Sequence, residues 1–203
     1  MAADEAGATI REARAADAGQ LATIYAPHVT GAVTSFELVA PDGEEFVRRM
    51  AAADDQHAWL VCERDGEVCG YAYASTHRGR AAYTWAAEVS VYIREDSRRA
   101  NVARGLYVAL LEVVRMQGRC VALAGITLPN PASQGFHEAL GFERCATYHN
   151  IGHKLGAWHD VGWWELMLGE LPDTPSEPVA LSALRDTPAF SAALRAGEAL
   201  LTR

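Results

Sequence analysis

A chain of 203 residues, half of them hydrophobic and 22% charged, has the balance of one globular domain with a sizeable core and some excess length. A net charge of −8 argues against broad nucleic-acid binding and against an anionic membrane surface, both of which need a basic footprint. Met1 to Gly7 has no cationic region followed by an apolar run, and no stretch is apolar for long enough to span a bilayer, so the expectation is a cytoplasmic protein without a signal peptide.

Residues 1–8 are small and acidic and are expected to be disordered. Thr9 to Ala13 alternates as a first strand. Asp17 is a plausible N-cap for a helix through about Tyr25, closed by Pro27. Thr30 to Phe36 reads as a loop or short strand. Pro41-Asp42-Gly43 opens a second helix carrying Phe46, Val47 and Met50, and its acidic start suits the positive end of a helix dipole. Trp59–Glu63 and Glu67–Tyr73 flank Asp65-Gly66, a hairpin signal. The hairpin also brings Cys62 and Cys69 near each other. With Cys120 and Cys145 they form no CxxC pair, and all four read as reduced thiols.

A basic loop, His77 to Arg80, precedes a long strand from Tyr83 to Ile93. After the polar break Arg94–Arg99, Ala103 to Gln117 has helical spacing and Gly118 ends it. Cys120–Thr127 is an apolar strand. Pro131–Leu140 is a short helix stopped by Gly141. Two strands close the domain, around Ala146–Ile151 and Val161–Leu168. A crossover helix between Ile93 and Cys120 implies one parallel strand pair beside antiparallel hairpins. The fold class is therefore α/β, a mixed central sheet flanked by helices, over residues 9–171. Residues 172–203 form a Pro-rich linker and a helix capped by Thr187-Pro188. That tail packs on the body, packs on a partner subunit, or stays partly ordered.

The chemistry centres on Glu88 to Gly105. Glu88 stands in a strand, where Glu is depleted, flanked by Trp85, Ala86, Ala87 and Val89. That apolar setting suits a general base that takes a proton from an amine. The turn that opens the next helix points free N–H groups at one spot, and Arg98, Arg99 and Arg104 add positive charge there, which suits a phosphate or pyrophosphate. His149, His153 and His159 are loosely spaced with no HExxH, so no metal is expected.

Arg98-x-x-Asn101-x-Ala103 resembles the Gln/Arg-x-x-Gly-x-Gly/Ala loop of the GNAT superfamily of N-acetyltransferases. Asn101 stands where that pattern usually has Gly; Asn tolerates left-handed backbone angles, but its side chain is expected to crowd a pyrophosphate. Tyr71-Ala72-Tyr73-Ala74, Arg78, Arg80, Tyr83, Trp85, Glu88, Val91-Tyr92, Leu128-Pro129-Asn130, His137 to Gly141 and Trp158 to Gly162 are similar to the phosphinothricin and methionine sulfoximine N-acetyltransferases within it.

The resemblance covers residues 9–170. It implies the GNAT fold, acetyl-CoA as cosubstrate, no metal, a homodimer and direct attack of a small acidic amino acid's amine on the thioester. It implies Glu88 as base, a backbone N–H near Val91 as oxyanion donor and His137 on the thiolate side, where many members carry Tyr. It places Val91, Tyr92, Ile93, Arg98, Arg99, Ala100, Asn101, Val102, Ala103, Arg104, Asn130 and Ser133 along the cofactor. It places Phe36, Arg78, Arg80, Tyr83 and Tyr92 around the acceptor. The alternatives are a GNAT acting on another amine (an aminoglycoside, a polyamine or a protein N-terminus) and a non-catalytic acetyl-CoA sensor.

Overall fold

The computed structural model describes residues 7–53, 55–98 and 100–202. Its elements are β1 (Thr9–Glu12), α1 (Ala18–Thr30), α2 (Gly43–Ala52), β2 (Trp59–Arg64), β3 (Glu67–Thr76), β4 (Ala86–Ile93), α3 (Val102–Met116), β5 (Val121–Leu128), α4 (Pro131–Glu138), β6 (Glu143–Lys154), β7 (Ala157–Met167) and α5 (Pro188–Glu198). One 7-stranded sheet runs in the order β1-β2-β3-β4-β5-β7-β6. Its β4–β5 pair is parallel and the others are antiparallel, as the crossover through α3 requires.

Strand alternation divides the sheet into two faces. Ala87, Val89, Ala122, Ala124 and Trp164 pack with Leu106, Leu110, Val113 and Val114 of α3 in one core. Val61, Val68 and Tyr71 pack on the other face with Leu21, Ile24 and Val29 of α1 and Phe46 of α2. Leu106 and Leu110 are fully buried, and each contributes about 1.5–3 kcal/mol by leaving water.

Several boundaries differ from the sequence expectation. Pro27 does not close α1, which runs on to Thr30. Proline removes one N–H, yet the last turn is held by buried Val29 and by bonds from Thr30 Oγ1 to the Ala26 carbonyl and from Gly31 N to the Pro27 carbonyl. Tyr83 lies outside β4, on a 3₁₀ turn at Ala81–Tyr83. Its would-be neighbour β3 ends at Thr76 opposite Ala87, so no ladder reaches back to Tyr83. The last hairpin is longer than expected and turns at Leu155-Gly156, both at positive φ. Trp164 is core, whereas Trp158 is exposed.

The tail folds onto the body: α5 buries Phe190 and Ala193 in the same core as α3, and Thr187 caps it by accepting from Phe190 N. Among the described residues, no helix is long and apolar enough to cross a membrane.

Candidate active site

The parallel pair β4–β5 bonds only from Ala86 to Glu88 against Val121 to Leu123. Beyond that the two strands splay. Val89 to Ile93 and Ala124 to Leu128 face an open wedge, leaving strand edges that no ladder consumes. A cavity of about 460 Å³ fills the wedge, lined by Ser90, Val91 and Tyr92 of β4 and Gly125 to Thr127 of β5. The same wall holds His28, Thr34, Arg98, Tyr107, Asn130, Ser133 and His137. The wedge suits an extended arm with amide groups, since such an arm completes the strand edges.

At the wedge mouth the chain turns into α3. Asn101 is left-handed, with φ 55° and ψ 14°, as a position usually filled by Gly requires. Its side chain caps nothing, so the first N–H groups of α3 stay available to an anion. Arg98 reaches the cavity and is only loosely paired with Glu95, at 3.9 Å. Ala100, Val102 and Ala103 shape the loop and Arg104 stands exposed on the first turn, none of them lining the cavity. Ile93 packs over Gly70 instead. Arg99 lies outside the described residues.

Glu88 is not in an apolar setting, contrary to expectation. Ala87 and Val89 point through the sheet to the α3 core, so the carboxylate escapes them onto the opposite face. There it accepts a 2.8 Å hydrogen bond from His77 Nδ1 and remains about a third exposed. His77 was named in the sequence only as part of a basic loop. Register supplies the missing signal: Ser75 sits opposite Glu88, so His77, two residues on, is its diagonal neighbour. The ring of Trp163 packs 5.4 Å from His77 and against Gly125, joining this pair to the wedge.

On the other wall His137 is buried, and burial lowers its pKa. Its Nδ1 lies 2.8 Å from the Ser133 carbonyl, which can only accept, so Nδ1 carries the hydrogen. Nε2 of the neutral ring is therefore an acceptor, and the one Tyr107 hydroxyl hydrogen is shared between it, at 3.1 Å, and the Val89 carbonyl, at 3.2 Å. His137 thus reaches the wedge through Tyr107. Tyr107, on α3, is a site residue that the helical pattern disguised as core. Asn130 caps α4 by accepting from Ser133 N, leaving its amide nitrogen for a ligand.

The acceptor candidates separate. Tyr92 lines the wedge, stacked 5.4 Å from Tyr71. Arg78, Arg80 and Tyr83 instead line a second cavity of about 190 Å³, with His57, Arg119 and Ala86. Among the described residues, no Asp or Glu lines it. Arg119 is buried, bonds the Thr84 and Gln56 carbonyls, and has no carboxylate partner among the described residues. Arg78 bonds the Tyr148 hydroxyl at 3.0 Å, and Tyr148 packs on Trp163. Phe36 lines neither cavity; it fills the space over Gly152, where any Cβ would meet its ring at 2.2 Å. Lys154 Nζ, bonded to the Ser35 carbonyl at 2.6 Å, ties the same hairpin to this loop.

Among the described residues, no group of three His, Cys, Asp or Glu side chains is placed to hold a metal.

Residues 10–163 match the model of the acetyltransferase (GNAT) domain. The chain is 36% identical over 170 residues to a phosphinothricin N-acetyltransferase of Streptomyces viridochromogenes, covering 84% of this chain and 92% of that protein. It is 34% identical to an L-methionine sulfoximine/L-methionine sulfone acetyltransferase of Pseudomonas aeruginosa, covering 83% and 99%. The crystal structure of a GNAT superfamily phosphinothricin acetyltransferase from Sinorhizobium meliloti, in complex with acetyl-CoA, superposes with a TM-score of 0.79 at 32% identity, over 85% of this chain and 95% of that one. With the splayed β4–β5 pair and the α3 loop, these likenesses show that the chain belongs to the GNAT family of acetyltransferases.

Proposed function

We propose that this protein transfers an acetyl group from acetyl-CoA to the α-amine of a small acidic amino acid of the phosphinothricin or methionine sulfoximine type. The observation that carries this reading is the cavity with three arginines and, among the described residues, no carboxylate, one residue pair away from Glu88 on β4. Ala86 lines that cavity and Ser90 lines the wedge, with Glu88 between them. An amino acid that places its distal acid among Arg78, Arg80 and Arg119 has its amine end directed toward Glu88 and the wedge. Arginine suits carboxylate, phosphinate or sulfoximine oxygens because its donors form a fixed fork. A polycationic acceptor would be repelled.

The wedge fits acetyl-CoA: Asn130 and the strand edges would take its amide arm, and Arg98 with the α3 N-terminus its pyrophosphate. Bound there, acetyl-CoA supplies a thioester carbonyl open to an amine. Glu88 removes the amine proton directly or through a water, and His77 holds the carboxylate in place. The Tyr107 hydroxyl turns its one hydrogen from His137 Nε2 and the Val89 carbonyl to the sulfur that departs with the electron pair. A backbone N–H near Val91 receives the negative charge that grows on the carbonyl oxygen.

We place the enzyme in the cytoplasm, in keeping with four free thiols. We assign Ile151, Leu155 and Trp158, exposed together on the β6–β7 hairpin, to a homodimer contact.

Thiol release from acetyl-CoA, measured with phosphinothricin, methionine sulfoximine, kanamycin, spermidine and an alanine-terminated peptide, tests the proposal. Turnover of the acidic amino acids is expected. Turnover of only the cationic or peptide amines would assign the other acceptor class. Acetyl-CoA binding with no turnover of any amine would leave a sensor.

A further inference from the structure

We infer that the C-terminal extension holds the acetyl-CoA turn at Ala100–Ala103 in its binding geometry, with Thr202 and Gly197 as positioning residues; this rests on the acetyl-CoA reading of that turn. The GNAT-domain match stops at residue 163, so the extension lies outside it.

Its contacts fall on both sides of Asn101. On one side, Thr202 N donates to the Ala100 carbonyl at 3.2 Å. The Thr202 carbonyl in turn accepts from Arg64 Nη2 at 2.8 Å, which anchors the chain end to β2. On the other side, α5 meets the first turn of α3 backbone to backbone. A Cβ at Gly197 would lie 2.4 Å from the Gly105 carbonyl oxygen, and one at Gly105 would lie 2.7 Å from that of Gly197. Leu201 covers the same turn. Glu198 fixes α5 by accepting from Ile10 N at 2.8 Å.

The loop needs such support. Asn101 holds a left-handed conformation that costs a non-glycine residue, and the Arg98 N to Glu95 carbonyl bond is long, at 3.4 Å. A loop already ordered spares a ligand the entropy of ordering it. The end of the extension, Gly197 to Thr202, thus acts on cofactor affinity, whereas the extension meets the acceptor end of β4 only through its earlier residues, where the Ser176 carbonyl accepts from Trp85 Nε1 and Leu181 N donates to the Asp55 carbonyl.

The test uses two full-length variants. Thr202→Pro removes the donor to Ala100 and also stiffens the chain at Leu201, and Gly197→Ala wedges α5 away from α3. Acetyl-CoA affinity is read by calorimetry, KM is read for acetyl-CoA and phosphinothricin separately, and melting is followed in parallel. In Thr202→Pro, Kd and KM for acetyl-CoA should rise about fivefold, the effect of losing one hydrogen bond. kcat and the phosphinothricin KM should stay within about twofold, and Tm within a few degrees. Gly197→Ala should raise the acetyl-CoA KM further and lower Tm. Unchanged acetyl-CoA affinity in both variants, against a wild type that binds, overturns the inference. So does a parallel decline of every kinetic constant with Tm, which would mark a purely structural tail. A wild type that fails to bind acetyl-CoA would instead overturn the reading of the loop itself, and the inference with it.

Discussion

Glu88 faces away from the core because its neighbours face into it, and this alternation puts a charged group in a buried sheet without burying the charge. Glu88→Gln should lower kcat by about 10²–10⁴-fold while acetyl-CoA affinity stays within about twofold, as measured by steady-state rates and calorimetry. An unchanged rate would remove Glu88 from the chemistry. Tyr107→Phe removes the hydroxyl that faces the wedge and keeps the ring packed, so kcat should fall about tenfold with little change in either KM. Glu88 was legible because a carboxylate in a strand is unusual. His77, Tyr107 and Arg119 were not, because each acts through a neighbour distant in sequence: a diagonal strand partner, a helix 30 residues away, and the carbonyls of Thr84 and Gln56.

The elements themselves follow closely from local rules. The order of strands and helices, the Asp65-Gly66 turn, the helix starts at Asp42-Gly43 and Thr187-Pro188 and the Gly118 and Gly141 stops were readable from residue types, whereas Asp17 makes no cap bond to α1 and instead holds Arg11 and the Arg14 N–H. Where the sequence misled, tertiary packing decided. Buried Val29 carried α1 past Pro27, and the end of β3 stopped β4 short of Tyr83. The splay of β4 from β5, which creates the wedge, has no sequence mark; it is a property of the pairing. At the α3 loop, Asn101 meets the backbone demand but adds a side chain where an anion is to lie. Asn101→Gly should tighten acetyl-CoA binding several-fold by calorimetry, and shift stability by no more than ~1 kcal/mol, because relief of left-handed strain is offset by greater freedom of the unfolded chain.

Across the whole molecule, stability should depend on pH through buried histidines. Burial, with Arg119 nearby, pushes the His57 pKa down to about 4 from 6.5. Among the described residues its buried Nδ1 has no partner, so a proton there meets no acceptor. His137 and His28 are lowered in the same direction, again first by burial. Between pH 6.5 and 4 the unfolded chain therefore binds more protons than the folded one. The contribution is complete above pH 6.5 and drains away as pH falls to about 4, on the order of 3 kcal/mol for His57. Urea unfolding across that window should show the decline, and His57→Gln, which keeps a donor or acceptor for Thr76, should flatten it.

The charge of the molecule is negative overall, yet the proposed acceptor end is locally cationic, with three arginines around one small cavity. The most direct test of that design is the ratio of kcat/KM for phosphinothricin to that for norvaline, which lacks the distal acid, in wild type and in the Arg78→Gln/Arg80→Gln double variant. The account predicts a wild-type ratio of about 10² or more, falling toward one in the variant mainly through KM for phosphinothricin. A wild-type ratio near one, or one that the double variant leaves unchanged, would contradict it.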